Sequence, residues 1–164
     1  MEDVTSAATR VALRPTAYDS PEATTLISAL QGEYLVRYGG HDETPVDPAE
    51  FSPPSGRFLV AWLGDAPVGC GGWRDDQADP GRTAEIKRMF VAVTARRRGV
   101  ARLILAELEQ TAAAAGYARM ILESGDQQPE ATALYRAAGY RPTTPFGLYA
   151  DEDGSIHLEK DLRH

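Results

Sequence analysis

Arg96-Arg97-Arg98-Gly99-Val100-Ala101 stands between a run of strand composition, Thr83 to Val93, and a helical stripe. That stripe runs through Val100, Leu103, Ile104, Leu108, Ala112 and Ala115 and stops at Gly116, so a helix is expected over Arg98 to Ala115. Met120-Ile121-Leu122 then reads as a short buried strand. Strand, helix and strand at this spacing require a right-handed crossover, which makes the two strands parallel neighbours. The turn has a chemistry of its own. Glycine lets a ligand approach the backbone, the first helical turn offers unpaired N–H groups and about half a positive charge, and arginines add forked donors. Such a turn seats a diphosphate. Neither Gly-Lys-Ser/Thr nor Gly-x-Gly-x-x-Gly is present, which excludes the P-loop and the dinucleotide fingerprint. On spacing alone, a basic helix start with a small packing residue accounts for the turn equally well.

Outward from this unit, Thr9 to Arg14 alternates as a strand stopped by Pro15. Ser20-Pro21-Glu22 is a helix start, and Leu26, Ile27, Leu30, Tyr34 and Tyr38 hold helical spacing up to Gly39-Gly40, with Gly32 a candidate break. Residues 39–55, rich in proline and acids, read as a loop. Arg57 to Leu63 and Pro67 to Arg74 flank Gly64-Asp65-Ala66 as a hairpin, and Pro80-Gly81 marks a second turn. Pro129 to Ala138, closed by Gly139, is a helix, and Ile156 to Leu158 centres a last strand. The expected class is α/β (α+β): a mixed, mostly antiparallel central sheet, a parallel pair of central strands at about 83–93 and 119–124, and helices on both faces.

The chain has 164 residues, enough for one domain over 1–164. Its net charge of −7 argues against a surface built to hold nucleic-acid backbone. The longest clean apolar run, Phe58 to Leu63, is far short of the ~20 residues that span a bilayer, and Met1-Glu2-Asp3-Val4 has no leader character. Cys70 is the only cysteine, so no internal disulfide forms and a cytoplasmic location is expected. Cys70 reads as a small buried thiol, and His41-Asp42-Glu43 as a solvated loop, since three adjacent residues converge poorly on a metal.

Arg-x-x-Gly-x-Ala at 96–101, preceded by Val91 and followed by Gln128-Pro129-Glu130-Ala131-Thr132-Ala133-Leu134-Tyr135-Arg136-Ala137-Ala138-Gly139-Tyr140, resembles the two motifs of the GNAT superfamily of N-acetyltransferases. The resemblance is close over about 83–140 and looser in the flanking element order. It implies acetyl-CoA as co-substrate and no metal. The diphosphate would lie on Arg96, Arg97, Arg98, Gly99, Val100 and Ala101, and the pantetheine arm along the backbone of Met89, Phe90 and Val91 as an added strand. Gln128 stands where the family usually has Asn.

Glu85, Lys87 and Arg88 fall in a strand that should be buried on both sides, where an unpaired charge costs several kcal/mol. Either this end of the strand faces a wet cleft or the charges pair. Acyl transfer needs a neutral amine, and lysine-type amines titrate near ~10.4, so a base is required. Glu85 is the expected base, the position where many members of the family place a glutamate; an ion pair with Lys87, Arg88 or Arg74 is the plainer account. Tyr135 is the expected acid for the departing thiolate, as the resemblance implies, against simple packing on the sheet. Tyr34, Tyr38, Trp73 and Arg74 are the expected acceptor wall, although tyrosines four apart also form a core stripe.

With these residues, the resemblance implies an N-acetyltransferase that passes an acetyl group from acetyl-CoA to a primary amine by direct attack. The acceptor would be an amine-bearing small molecule or peptide, with no nucleic-acid or membrane partner. The sequence does not give the oligomeric state; dimers are frequent in the family the chain resembles, so the resemblance leaves a homodimer open. The alternative is a non-catalytic acyl-CoA-binding sensor module.

Overall fold

A computed structural model describes residues 10–163; Met1 to Thr9 and His164, and the readings that fall on them, lie outside the described residues. Along the chain run β1 (Val11–Pro15), α1 (Pro21–Tyr38), β2 (Gly56–Leu63), β3 (Ala66–Asp75) and β4 (Thr83–Val91). They are followed by α2 (Val100–Ala114), β5 (Arg119–Gly125), α3 (Pro129–Ala137), β6 (Arg141–Pro142) and β7 (Ser155–Asp161). The strands form one sheet in the order β1-β2-β3-β4-β5-β7-β6, antiparallel throughout except where β4 meets β5. This is the mixed sheet expected from the pattern.

Local signals set most boundaries. Ser20 caps α1 by accepting from the Ala23 N–H at 3.2 Å, Pro21 sits in the first turn, and Gly39 ends the helix in the left-handed region. Gly32 does not interrupt α1; a mid-helix glycine costs only about 1 kcal/mol, which the buried Ala23, Leu26 and Leu30 offset. Two expectations need adjusting. The 39–55 segment contains a 3₁₀ turn at Pro48–Phe51, capped by Asp47. The strand read to Val93 stops at Val91, because Val93–Ala95 coils into a 3₁₀ turn before Gly99.

The sheet is sandwiched. Ile104, Leu105 and Leu108 of α2 and Tyr135 of α3 pack on one face against Leu59, Trp73, Ile86, Met120, Leu122 and Leu158. Leu26 and Leu30 of α1 pack on the other against Phe51, Phe58, Val60 and Phe90.

What positions the site is a fault in the central pairing. β4 and β5 are in register only at Thr83↔Arg119, Ala84↔Met120 and Glu85↔Ile121. Beyond Glu85 both strands continue unpaired with each other, opening a wedge. On its other side β4 carries a bulge: Cys70 faces Phe90 but Gly72 faces Lys87. Arg88 takes the extra place with φ +62°, a conformation uncommon for a residue with a Cβ, and its carbonyl accepts the Cys70 thiol at 3.3 Å. The inserted residue breaks the two-residue alternation of a strand. Lys87 and Arg88 therefore reach the same partner, while Met89 and Val91 pack with Ile86 on the α2 face.

Candidate active site

The wedge holds a cleft of about 470 Å³. Ile86 to Met89 form one wall and Leu122 to Gly125 the other, with the C-terminal end of α1, the loop at Gly40–Asp42, α3 and the turn at Tyr149–Ser155 around them. Tyr38 of α1 lies on Gly125 so closely that a Cβ there would stand 2.0 Å from the phenol oxygen; the missing side chain lets α1 close over β5.

The floor is charged and largely buried. Lys87 and Arg88 are each only 7% exposed. Asp42, from the loop after α1, accepts on a single oxygen from Lys87 Nζ at 2.9 Å and from Arg88 Nη1 at 2.6 Å. Arg88 Nε donates to the Tyr18 hydroxyl at 3.1 Å. Asp42 is fixed in turn by its own N–H to Gln31 at 2.8 Å and by the Thr44 N–H on its other oxygen at 3.0 Å. Burial pushes the Asp42 carboxyl up, but Lys87 and the Thr44 hydrogen bonds more than reverse this and hold it well below the usual carboxylate range. The expected solvated loop at His41–Glu43 is thus corrected: Asp42 is the counter-ion of the cleft floor, because two buried cations left without an anion would cost far more than ordering the loop.

Glu123 shares the cleft without a hydrogen-bonded partner among the described residues. Burial raises its carboxyl to about 6; Lys87 opposes this, and Asp42 and Glu85 add to it. The strand expected over about 119–124 already contains Glu123, but its position in the sequence gives no sign that β4 and β5 part before it and leave it in a cleft. Tyr135 lines the same cleft from α3, buried and edge-to-face with Tyr140 at 5.8 Å. Burial raises its phenol well above the ordinary value near ~10, so it stays protonated. Tyr34 and Tyr38, edge-to-face at 6.1 Å, also line the cleft, and burial raises the Tyr34 phenol too.

Three expected site residues are placed elsewhere. Trp73 is 1% exposed on the α2 face, its indole N–H donating to the Thr111 hydroxyl at 2.9 Å and its ring 4.9 Å from that of Tyr117; it is core, since its side chain projects to the opposite face from the cleft floor. Arg74 donates to Glu85 at 3.1 Å, to Glu50 at 3.0 Å and to the Pro45 carbonyl at 2.8 Å. Glu85 is thereby the Arg74 partner, and neither residue lines the cleft.

At the far end of β4 the arginine turn has the features of an anion seat. Gly99 begins α2 at φ +77° with no side chain capping the helix, so the N–H groups of its first turn have no capping partner. Arg96, Arg97 and Arg98 are exposed around it. Arg96 Nε donates to the Val91 carbonyl at 2.9 Å and its guanidinium pairs with Glu33 of α1. Gln128 begins α3 without a side-chain cap and lines the cleft. These residues fit a ligand with a diphosphate at one end and an extended arm along β4.

A family model described as Acetyltransferase (GNAT) family matches residues 23–140. An IAA acetyltransferase of Azospirillum brasilense is 39% identical over 117 residues, 71% of this chain and 75% of that protein. Among solved structures, one from Klebsiella pneumoniae, described as a candidate acyl-CoA N-acyltransferase, has a TM-score of 0.76 at 26% identity, covering 93% of this chain and 98% of its own. A GNAT acetyltransferase from Elizabethkingia anophelis with acetyl-CoA bound has a TM-score of 0.64 at 19% identity, covering 92% and 97%, which is a likeness of fold.

Proposed function

The chain belongs to the GNAT acetyltransferase family and is an acyltransferase, and on that premise we propose that it passes an acetyl group from acetyl-CoA to a primary amine, with Glu123 as general base and Tyr135 as general acid. Acetyl-CoA, when bound, supplies the thioester that the amine attacks. The observation that carries the reading is one cleft holding a desolvated carboxyl and a neutral phenol, with an uncapped, arginine-lined helix start at the end of its β4 wall.

Amines arrive largely as ammonium ions, α-amines titrating near ~7.7–8 and lysine-type amines near ~10.4. A carboxylate ordinarily near ~4.3 is a weak base for them, and raising it to about 6 improves the match while leaving it mostly ionised at neutral pH. Glu123 therefore accepts the amine proton, directly or through water. The Glu85 carboxylate is held by Arg74 outside the cleft, which makes it the poorer candidate. Tyr135 donates its phenolic hydrogen toward the sulfur as negative charge develops there. N–H groups of β4 beyond Glu85, unpaired with β5, are the available donors for the developing oxyanion. The arginine turn and the edges of Met89 and Val91 hold the long ligand. We place the enzyme in the cytoplasm, on the strength of its single, buried thiol.

Incubation with acetyl-CoA and a panel of amino acids, polyamines, aminoglycosides and peptides, read by thiol release, tests this. Thiol release with at least one amine is expected. Calorimetric binding of coenzyme A without release on any amine would overturn catalysis in favour of a sensor module.

A further inference from the structure

The cleft floor is under-supplied with acceptors. A lysine ammonium offers three N–H donors and a guanidinium five. Lys87 and Arg88 together make three hydrogen bonds to the protein, and two of these go to one oxygen of Asp42. Both residues are more than nine-tenths buried and both line the cleft. Asp42 is a permanent counter-ion, held by Gln31 and Thr44, but it brings one negative charge to two positive ones. Their remaining donors open to the cleft, since the buried side-chain nitrogens without a partner among the described residues are Trp62 Nε1 and His157 Nε2. An anion entering the cleft meets unused N–H groups that are already mostly desolvated.

The rest of the lining has the opposite sign. Glu123 stands on the facing strand, and Asp126, Glu152 and Asp153 lie on the rim. The third lining cation, Arg37, already has Glu33 and the Gln127 carbonyl. The cleft thus has a cationic pole on β4 and an anionic pole on β5 and beyond, the complement of a molecule that carries both signs.

We propose that the acceptor is an amino carboxylate, whose carboxylate is received by Lys87 and Arg88 while its amine faces Glu123. The charge count selects carboxylate over phosphate. One positive charge is left after Asp42, and a carboxylate brings one negative charge where a phosphate monoester brings about 1.5–2 at neutral pH. The assignment rests on acetyl transfer as the activity, and names the class of amine that receives the group.

The decisive comparison uses the unaltered protein. The best amino acid of a thiol-release panel, including ω-amino acids, is compared with its own amide and its decarboxylated amine. The acid is expected to exceed both in kcat/KM by about 30-fold or more, the scale for truncating one partner of a buried, hydrogen-bonded charge pair. Lys87→Met, checked for folding by circular dichroism, contracts that ratio to a few-fold, and Lys87→Arg restores most of it. Equal kcat/KM for acid and amide overturns the assignment and leaves acetyl transfer standing. Preference for phosphoethanolamine over β-alanine also overturns it. If no amine of any kind releases thiol, the activity fails. In that case calorimetric binding of the amino acid, but not its amide, to the coenzyme A-loaded protein still upholds the carboxylate seat, and binding of neither overturns it.

Discussion

Glu85 and Glu123 stand on adjacent parallel strands, two residues apart in register, yet the fold gives them different chemistry. Glu85 lies where β4 and β5 still pair, beside Ile121, and its carboxylate is spoken for by Arg74 at 3.1 Å. Glu123 lies two residues further along β5, past the end of the pairing, in the wedge. Lys87, whose charge opposes the upward shift of Glu123, donates its hydrogen bond to Asp42 instead. A carboxylate with a partner is held as an anion, whereas one that is desolvated without a partner binds its proton more tightly, which is what the proposed base requires. The separation of the two strands at one register position decides which is which.

The sharpest way to break this contrast is to neutralise each in turn. Glu123→Gln is expected to lower kcat/KM by roughly 10²–10⁴-fold, the range for a general base, and to abolish the rise in rate as pH climbs through about 6. Glu85→Gln should cost less than about 10-fold and keep that rise, because it removes an ion pair and not a proton acceptor. Steady-state pH profiles of both variants check this, and the reverse pattern returns the base to Glu85.

Asp42→Asn sharpens the contrast by releasing Lys87. Two buried cations without an anion are expected to cost about 3–5 kcal/mol, a fall in Tm of roughly 6–20 °C by calorimetry at neutral pH. Since the folded protein holds the Asp42 carboxyl below its ordinary value of 3.8, this advantage is present above that pH and fades as acid protonates it. In the surviving folded protein Lys87 turns toward Glu123 and moves the acidic limb of the rate profile below 6. A limb that stays in place would mean that Asp42 does not screen the two.

The smallest expected effect concerns stability. The Glu123 carboxyl is raised from 4.5 to about 6 on folding, so the folded chain binds more protons and loses stability as pH rises across that window. Glu123→Gln removes that loss and should be on the order of 1–2 kcal/mol more stable than the parent at pH 8, with no such gain at pH 4. Denaturant midpoints at the two pH values measure it; for Glu85→Gln the sign should be opposite at pH 8.

Much of this architecture was legible in the chain. Glycine and proline positions, the α2 stripe and the strand–turn–helix at 83–116 led to the parallel pair and to helices on both faces. The arginine turn and Tyr135 were legible too, because both are short patterns at element ends. Of the residues expected in the acceptor wall, Tyr34 and Tyr38 line the cleft, but its charged floor was not legible. Alternation along β4 groups Lys87 with Met89 and sets Arg88 opposite, and the bulge at Arg88 regroups them. Trp73 and Arg74, adjacent in β3, point to opposite faces, and neither reaches the cleft. Asp42 looked solvated because its partners are 45 and 46 positions away.

The sequence by itself determined the element order, the crossover and the glycine-opened helix start, since each depends on residues within a turn or two of one another. Only the tertiary structure decided which carboxylate is bare, which cations share an anion and where the two central strands part. Those outcomes depend on solvent exclusion and on pairings between distant segments, and a charged side chain acquires its chemistry from what surrounds it.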